Sequence, residues 1–251
     1  MEWTDEGIVI GVRRHGESSA IVELMTRQHG RHLGLLRGAT SKRHAPLVQP
    51  GNVMRAVWRA RLDGQLGLYS LEALTVRTDL MIRVPHAAFG LSHMASLLHL
   101  LAERDPHPGL YEVLAAILDA IEDPDSAGVL LARFELAMLA ELGFGLELDA
   151  CAATGGRNDL VFVSPRTGRA VSEGAGAPYA ERLLALPSFL IGGPVPPPAE
   201  DLAAAYVLTG YFLSQRIFEP RGMRLPDARD SFLSALKREA AGASPLQRSH
   251  Q

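Results

Sequence analysis

The stretch Val53–Arg61 (VMRAVWRAR) decides how the amino-terminal part of this chain is interpreted. Successive side chains of a β-strand point to opposite faces, so the stretch is sorted at a period of two residues. One face is then apolar, with Met54, Ala56, Trp58 and Ala60. The other face carries Val53, Val57 and three arginines, Arg55, Arg59 and Arg61. The pattern predicts a strand with one face in a core and three guanidinium groups on the opposite face.

The three arginines have two interpretations. Arginine is permanently charged, and its planar fork matches the oxygens of a phosphate. A row of three on one face therefore predicts a surface that follows a polyanion. The alternative is an ordinary solvated strand face, which is the commoner situation for charged side chains. The neighbouring segments decide between the two.

Four further short segments of strand-like composition surround this stretch. Five strands within about 70 residues, without helical periodicity, predict a small closed or partly open β-barrel. The five predicted strands are Gly7–Arg13, Ser19–Thr26, Arg31–Arg37, Val53–Arg61 and Gly67–Val76. Gly11 and Gly34 lie inside strands, where glycine suits a bend or a close backbone approach.

The pattern becomes helical after Asp79, apart from a β-hairpin insert at about residues 149–176. The fold class is therefore α+β, with one domain at residues 1–78 and a mainly helical domain at 79–251. Ser126 is the predicted cap of a helix that ends at Gly143. The other predicted helices are Leu91–Arg104, Leu110–Glu122, Glu200–Phe218 and Asp227–Ala240. The polar tail at 243–251 is expected to be disordered.

Charge is distributed unevenly along the chain. Residues 1–78 carry 11 Lys and Arg against 7 Asp and Glu, whereas residues 79–251 carry 14 against 21. The net charge of −3 therefore combines a front part of +4 with a remainder of −7, which predicts an anion-binding amino-terminal part. A single cysteine, Cys151, excludes a disulfide framework and suits a reducing cytosol. The acidic amino terminus predicts no signal peptide, and no apolar run is long enough to span a membrane.

Several landmarks together resemble the RecO family of bacterial recombination mediators over essentially the whole chain. The opening block is GIVIGVRRHGESSAIVELMTRQHGRHLGLLRGA at residues 7–39, and Arg133-Phe134-Glu135, Glu141–Phe144 and Leu148–Cys151 follow in order. The resemblance implies an amino-terminal OB-fold, a helical domain and a small zinc-ribbon-like insert. It also implies binding of single- and double-stranded DNA and annealing of complementary strands. The implied partners are RecR and the acidic tail of single-strand-binding protein, with RecA loaded indirectly, in the bacterial cytoplasm at the nucleoid.

The insert departs from the family pattern. Relatives with zinc carry two cysteine pairs there, and such spacing favours a tetrahedral site. Here Cys151 remains, but Thr154 takes the second position and the later pair falls near Ser172 and Ala175. We therefore predict no metal and no cofactor. The hairpin is expected to be held by packing of residues such as Leu160, Phe162 and Val171, with Cys151 as a remnant or small core residue.

The predicted DNA-binding residues are the cations of the barrel, because an OB-fold combines a basic groove with aromatic platforms. They are Arg13, Arg14, Arg31, Arg37, Lys42, Arg43, Arg55, Arg59 and Arg61. Between Gly7 and Thr78 the aromatic residues are Trp58 and Tyr69, and alternation assigns Trp58 to the core. Binding is therefore expected to rest on phosphate contacts, with little sequence selectivity and a steep dependence on salt.

The acidic, hydrophobic tail of single-strand-binding protein needs an apolar pocket with a cationic rim. Arg133, Arg216 and Arg221 are candidates for that rim, although a local ion pair is the commoner role for each. The sequence carries no phosphate loop, nucleophile elbow or paired-carboxylate motif, so we predict a protein that is not an enzyme. The alternative function is an OB-fold adaptor that acts mainly through protein contacts of its helical domain. A small-molecule hydrolase lacks the required nucleophile and base.

Overall fold

The structure is a computed structural model that describes residues 1–42, 44–62 and 64–242. The chain divides into two compact units. The first unit contains Met1–Glu122 together with the chain from Ala228 onward, and the second contains Asp123–Asp227. The division into domains at residues 1–78 and 79–251 stays a prediction, since it concerns domains and not packing units.

Five strands close into a barrel in the first unit, in the order β1-β2-β3-β5-β4. This confirms the predicted small barrel and gives the amino-terminal part an OB-like architecture. The long first strand pairs with β4 through its first half and with β2 through its second half, which closes the barrel. The strands are β1 (Glu2–His15), β2 (Ser19–Thr26), β3 (Gly30–Leu36), β4 (Val53–Arg59) and β5 (Leu68–Thr75).

The barrel core consists of the side chains that alternation assigns to the inner faces. Met54, Ala56 and Trp58 of β4 are all buried, as the sequence pattern predicts. The indole nitrogen of Trp58 donates a hydrogen bond to the carbonyl of Leu66 at 3.0 Å, so this buried polar atom is satisfied. β4 ends at Arg59 and not at Arg61, because Ala60 and Arg61 already belong to the loop before β5.

The first unit also contains four helices. α2 buries the face with Leu91, Met94 and Leu98, and the ring of Phe232 in α7 lies against Gly90. His86 of α2 contacts α7, because its Nδ1 lies 2.8 Å from Glu239 Oε1. Its Nε2 lies 2.7 Å from the carbonyl oxygen of Ile121, which directly follows α3. The helices are α1 (Thr78–Arg83), α2 (Pro85–Leu98), α3 (Pro108–Ala120) and α7 (Asp227–Gly242).

The second unit combines helices with a small sheet of order β7-β6-β8. The predicted hairpin is present as β6 and β7, and β8 adds a third strand that the sequence did not indicate. Leu160 and Val171 are buried, as expected. The elements are α4 (Pro124–Glu141), β6 (Leu160–Val163), β7 (Ala170–Ser172), α5 (Glu173–Gly176), β8 (Leu184–Ala185) and α6 (Ala199–Phe212), which continues as a π-helical segment at Leu213–Phe218.

Some predicted boundaries were wrong. Asp123 and not Ser126 caps α4, since the Asp123 side chain accepts a hydrogen bond from the Ser126 amide. The helix predicted at Leu91–Arg104 is α2, which begins at Pro85 and ends at Leu98. It begins earlier than predicted because proline suits the first turn of a helix. α1 was not predicted, because six residues carry too little periodicity. The predicted disorder of 243–251 lies outside the described residues. Within the described residues, no helix is long and apolar enough to cross a membrane.

Candidate nucleic-acid interface

The outer face of β4 does not present a free row of cations. Arg55 Nη1 lies 3.5 Å from Glu72 Oε2 of β5, and the register also places Glu6 of β1 opposite Arg55. Arg59 Nη2 lies 2.8 Å from Glu2 Oε1 on the neighbouring strand. Both arginines point outward, as alternation predicts, but carboxylates on the adjacent strands offset their charge. Whether these two residues follow a phosphate backbone stays a prediction, and their ion pairs make them weaker candidates than cations without a partner.

The end of β1 carries the first pair of unpaired cations. Arg13 and Arg14 are exposed on the last residues of β1, immediately before the turn to β2. Neither has an ion-pair partner within the described part of the chain. The only acidic residue in that turn is Glu17, which is exposed. The turn therefore offers two guanidinium groups to solvent next to a single carboxylate.

The loop between β3 and β4 carries a second pair of cations. Arg37 directly follows β3, and Lys42 lies farther along the same loop; both are exposed. The amide of Thr40 donates a hydrogen bond of 3.4 Å to the carbonyl of Ser18, which joins this loop to the β1–β2 turn. Arg43, predicted to belong to the same set, lies outside the described residues.

The loop between β4 and β5 lies beside the same end of β3. The amide of Leu35 donates a hydrogen bond of 3.0 Å to the carbonyl of Gly67, the last residue of that loop. Arg61 is exposed on this loop. We call Arg13, Arg14, Arg37, Lys42 and Arg61 the loop cations. Within residues 1–42, 44–62 and 64–242 none of the five has an ion-pair partner. Hydrogen bonds join the β3–β4 loop to the β1–β2 turn and the β4–β5 loop to the end of β3.

The exposed apolar side chains that accompany the loop cations are aliphatic in the part of the chain that the structure describes. Val12 lies just before Arg13 on β1, and Leu62, Leu66 and Leu68 lie on or next to the β4–β5 loop. In OB-folds, the β1–β2 and β4–β5 loops contribute to oligonucleotide binding together with the β2–β3 face. The arrangement therefore combines positive charge with aliphatic surface near loops that OB-folds use to bind oligonucleotides.

Arg31 is held inside a local network. Its guanidinium forms an ion pair with Glu23 through Nη1, and its Nε donates a hydrogen bond of 3.2 Å to the carbonyl of Leu101. Burial alone raises the pKa of Glu23, but hydrogen bonds from His99 and Arg31 outweigh it and lower the pKa below its usual value. Arg31 therefore neutralises a half-buried carboxylate, and it is much less available to a phosphate than the loop cations.

Sequence reasoning missed an aromatic stack that begins before the predicted first strand. The rings of Trp3 and His29 lie parallel, with centroids 4.2 Å apart, and Trp3 also stacks on Trp58 at 5.7 Å. Asp5 orients His29, since its Oδ2 lies 3.0 Å from His29 Nδ1. Alternation extended back to Glu2 would have placed Trp3 on the core side of β1. The predicted strand began too late, at Gly7.

The three arginines proposed for partner binding lie in the second unit and differ in their surroundings. Arg133 donates to the carbonyl of Phe189 at 2.7 Å, and Arg221 donates to the carbonyl of Ile217 at 2.8 Å. Arg216 donates to the carbonyl of Arg166 at 2.7 Å and lines a groove. The other groove residues are Gly143, Phe144, Gly145, Leu146, Thr167, Gly168 and Phe212. Arg216 therefore fits a cationic rim better than Arg133 or Arg221.

The residues of the insert do not fit a zinc ion. Structural zinc sites use four cysteine, histidine or carboxylate ligands. Here the donors are the Cys151 sulfur and the hydroxyl groups of Thr154 and Ser172, and Ala175 offers no donor. Within the described residues, no group of three or more His, Cys, Asp or Glu side chains is arranged to hold a metal.

The strand order and the loops define the class of OB-fold proteins with an appended mainly helical region. A family model described as "Recombination protein O N terminal" matches residues 1–76. A second model, "Recombination protein O C terminal", matches residues 84–224. The chain therefore belongs to the RecO family, and the resemblance noted in the sequence is confirmed.

Relatives support this membership over nearly the full length. A protein of Xanthobacter autotrophicus named "DNA repair protein RecO" is 65% identical over 97% of this chain and 100% of its own length. A Bradyrhizobium protein of the same name is 54% identical over 96% of this chain and 98% of its own length. A third, from Sinorhizobium medicae, is 52% identical over 97% and 98%.

Proposed function

We propose that this protein is a mediator of DNA repair and homologous recombination that binds DNA through the loop cations of its barrel. The observation that carries the proposal is the set of five exposed cations at the end of β1 and on the β3–β4 and β4–β5 loops, none with an ion-pair partner within the described residues. Family membership supports the same function, since the relatives are named as DNA repair proteins. The role needs no bond chemistry, and we propose that the protein is not an enzyme.

Strand annealing is the activity that this surface suits. Two DNA strands repel each other through their phosphates, and lysine and arginine displace counterions and offset that repulsion. Phosphate contacts position a strand but do not identify its bases. Bases stack on aromatic side chains, and the exposed neighbours Leu62 and Leu66 are aliphatic, so they should not hold bases by stacking. We propose that single- and double-stranded DNA bind here with base edges left free to pair.

The further partners follow from the family and are part of the proposal. They are RecR and the acidic tail of single-strand-binding protein, and RecA is loaded indirectly through them. The work takes place in the bacterial cytoplasm at the nucleoid, where the DNA lies. The amino-terminal domain at residues 1–78 is proposed to bind DNA, and the domain at 79–251 to bind proteins.

Two variants test the DNA-binding surface. Arg14→Ala/Arg37→Ala/Lys42→Ala removes three loop cations, whereas Arg55→Ala/Arg59→Ala removes two arginines that carboxylates already offset. In anisotropy titrations with labelled single-stranded DNA, we expect the loop variant to lose about tenfold or more in affinity and the strand variant much less. Annealing of complementary oligonucleotides should follow the same order. Equal losses in both variants would remove the loops from the site.

The groove beside Arg216 is the proposed site for the tail of single-strand-binding protein. It offers the exposed ring of Phe144 and the guanidinium of Arg216, which suit an apolar side chain and a carboxylate respectively. The variants Arg216→Glu and Arg157→Glu make the same charge change, but Arg157 is exposed and does not line the groove. We expect Arg216→Glu alone to weaken binding of a labelled tail peptide.

The alternative is an adaptor that acts mainly through its helical domain. If both peptide binding and repair in cells survive the loss of the loop cations, that alternative is favoured. If repair is lost with DNA binding while peptide binding persists, the mediator function is favoured.

A further inference from the structure

The insert of the second unit begins with a tight loop that carries positions 151 and 154, where zinc-binding relatives have their first cysteine pair. The amide of Cys151 donates to the carbonyl of Gly156 at 2.7 Å, and the amide of Gly155 donates back to the carbonyl of Cys151 at 2.8 Å. Gly155 has φ +72°, a backbone conformation that favours glycine. The amide of Gly156 donates to Thr154 Oγ1 at 3.2 Å. These bonds hold the side chains of residues 151 and 154 on one turn.

The end of β7 meets this loop at the sulfur atom. The amide and the hydroxyl of Ser172 both donate to Cys151 Sγ, each at 3.3 Å. The hydroxyl of Thr154 also contacts the sulfur. Cys151 is 1% exposed, so the three donors converge on an atom that water does not reach. The segment before the hairpin is thereby attached to the last strand residue of the hairpin.

We propose that Cys151, Thr154 and Ser172 form a metal-independent cross-link that takes the place of the zinc ion implied by the family resemblance. A zinc ion fixes two loops through four strong donors. Here one sulfur accepts hydrogen bonds from two segments of the chain and connects them without a metal. Ala175, at the position of the fourth zinc ligand, lies one turn along α5 from Ser172 and contributes no donor.

The surrounding backbone explains why weaker bonds are enough. The amide of Ala152 donates to the carbonyl of Ala170 at 2.8 Å, and the amide of Ala170 donates to the carbonyl of Glu147 at 2.8 Å. The loop is therefore already attached to β7 by its backbone. Hydrogen bonds from Ser172 and Thr154 also lower the pKa of the Cys151 thiol to about 6, which agrees with a sulfur that acts as an acceptor.

Metal content and thermal unfolding of the full chain test the first half of the proposal. We expect no stoichiometric zinc by elemental analysis of protein purified without chelator. We also expect a Tm that EDTA does not change and that added zinc does not raise. One zinc per chain, or a Tm that falls in EDTA, would overturn the proposal.

A double-mutant cycle tests the hydrogen bonds themselves. Cys151→Ala and Ser172→Ala should each lower Tm by several degrees, and the double variant should lower it by less than the sum, because either change alone breaks the same contact. Ser164→Ala removes a hydroxyl from the same insert, at a residue whose side chain makes no hydrogen bond within the described residues. It should leave Tm nearly unchanged. Additive losses would contradict the shared contact.

Restoring the missing ligands tests the geometry. Thr154→Cys/Ser172→Cys/Ala175→Cys supplies four thiols together with Cys151 at the spacing of a zinc site. We expect this variant to bind cobalt with a thiolate charge-transfer band, to take up one zinc, and to gain a Tm that EDTA lowers. A triple variant that is folded by circular dichroism yet takes up no metal would show that the four positions do not converge, against the proposal.

Discussion

Gly34 lies where the ring of Tyr69 crosses β3. A β-carbon at this position would lie 2.4 Å from Tyr69 Cδ2, which is shorter than any van der Waals contact. Tyr69 is buried and its hydroxyl donates a hydrogen bond to the carbonyl of His32 at 3.2 Å, so the ring is held in place. The sequence indicated a close approach at Gly34, but the approaching group is 35 residues away and became visible only in the structure.

We expect Gly34→Ala to lower the free energy of unfolding by about 1–3 kcal/mol, the usual cost of overpacking. Gly109→Ala is the matched control, since a β-carbon there meets nothing within 4 Å and alanine favours the helix α3. Urea denaturation of the two variants measures the difference. Similar midpoints for both would contradict the close packing at Gly34.

His32 provides a pH dependence at the same scale. It is 2% exposed, and burial, with a further contribution from the charge of Arg104, lowers its pKa from 6.5 to about 4. The folded protein therefore holds His32 neutral at a pH where the unfolded chain protonates it. The associated stability is complete above pH 6.5 and is lost as the pH falls toward 4; the full loss is about 3 kcal/mol.

Denaturant unfolding between pH 7 and pH 4 measures this loss, and His32→Gln provides the comparison. The variant cannot bind the proton, so its stability should fall less over this range than that of the wild type. Parallel curves for the two proteins would assign the acid sensitivity to other groups.

At the scale of elements, the amino-terminal end of α4 depends on one side chain. Asp123 Oδ2 accepts the amide of Ser126 at 2.9 Å, and Asp125 adds a second negative charge in the first turn, where the helix dipole favours it. We expect Asp123→Ala to cost about 1 kcal/mol and Asp123→Ser to recover most of it. Thermal unfolding monitored by circular dichroism compares the three proteins. Equal losses for alanine and serine would exclude capping as the cause.

The strands show how far local sequence carries a prediction. Alternation predicted the core side of β4 correctly, including Trp58, because the side-chain period is a local property. It did not predict that Glu2 and Glu72 lie beside Arg59 and Arg55, because register depends on pairing with distant strands. The same limit hid β8, whose two residues pair with β6 from more than 20 residues away.

At the scale of the whole molecule, the uneven charge predicted an anion-binding amino-terminal part, and the resemblance predicted the fold class. The sequence proposed nine barrel cations alike and did not separate those with carboxylate partners from those without. Among the described barrel residues, the cations without an ion-pair partner lie at the end of β1 and on the β3–β4 and β4–β5 loops, and their role in DNA binding stays a prediction. That distinction rests on pairing, since Arg55 and Arg59 have carboxylate partners and the loop cations have none within the described residues.

The slope of DNA affinity against salt concentration should reflect the number of those unpaired charges that contact phosphates. For single-stranded DNA, log K falls with log salt by about 0.7 for each phosphate neutralised, so five loop cations predict a slope of about −3.5. Affinity should then fall about 100-fold between 50 and 200 mM salt.

Arg14→Ala/Arg37→Ala/Lys42→Ala should reduce the slope to about −1.4, because three of the five contacts are gone. Arg55→Ala/Arg59→Ala should leave the slope nearly unchanged. In the wild type these two guanidinium groups already pair with carboxylates, so they should neutralise few phosphates and release few counterions from DNA. Anisotropy titrations at four salt concentrations measure all three slopes. A loop variant that keeps the wild-type slope would place the phosphate contacts elsewhere on the molecule.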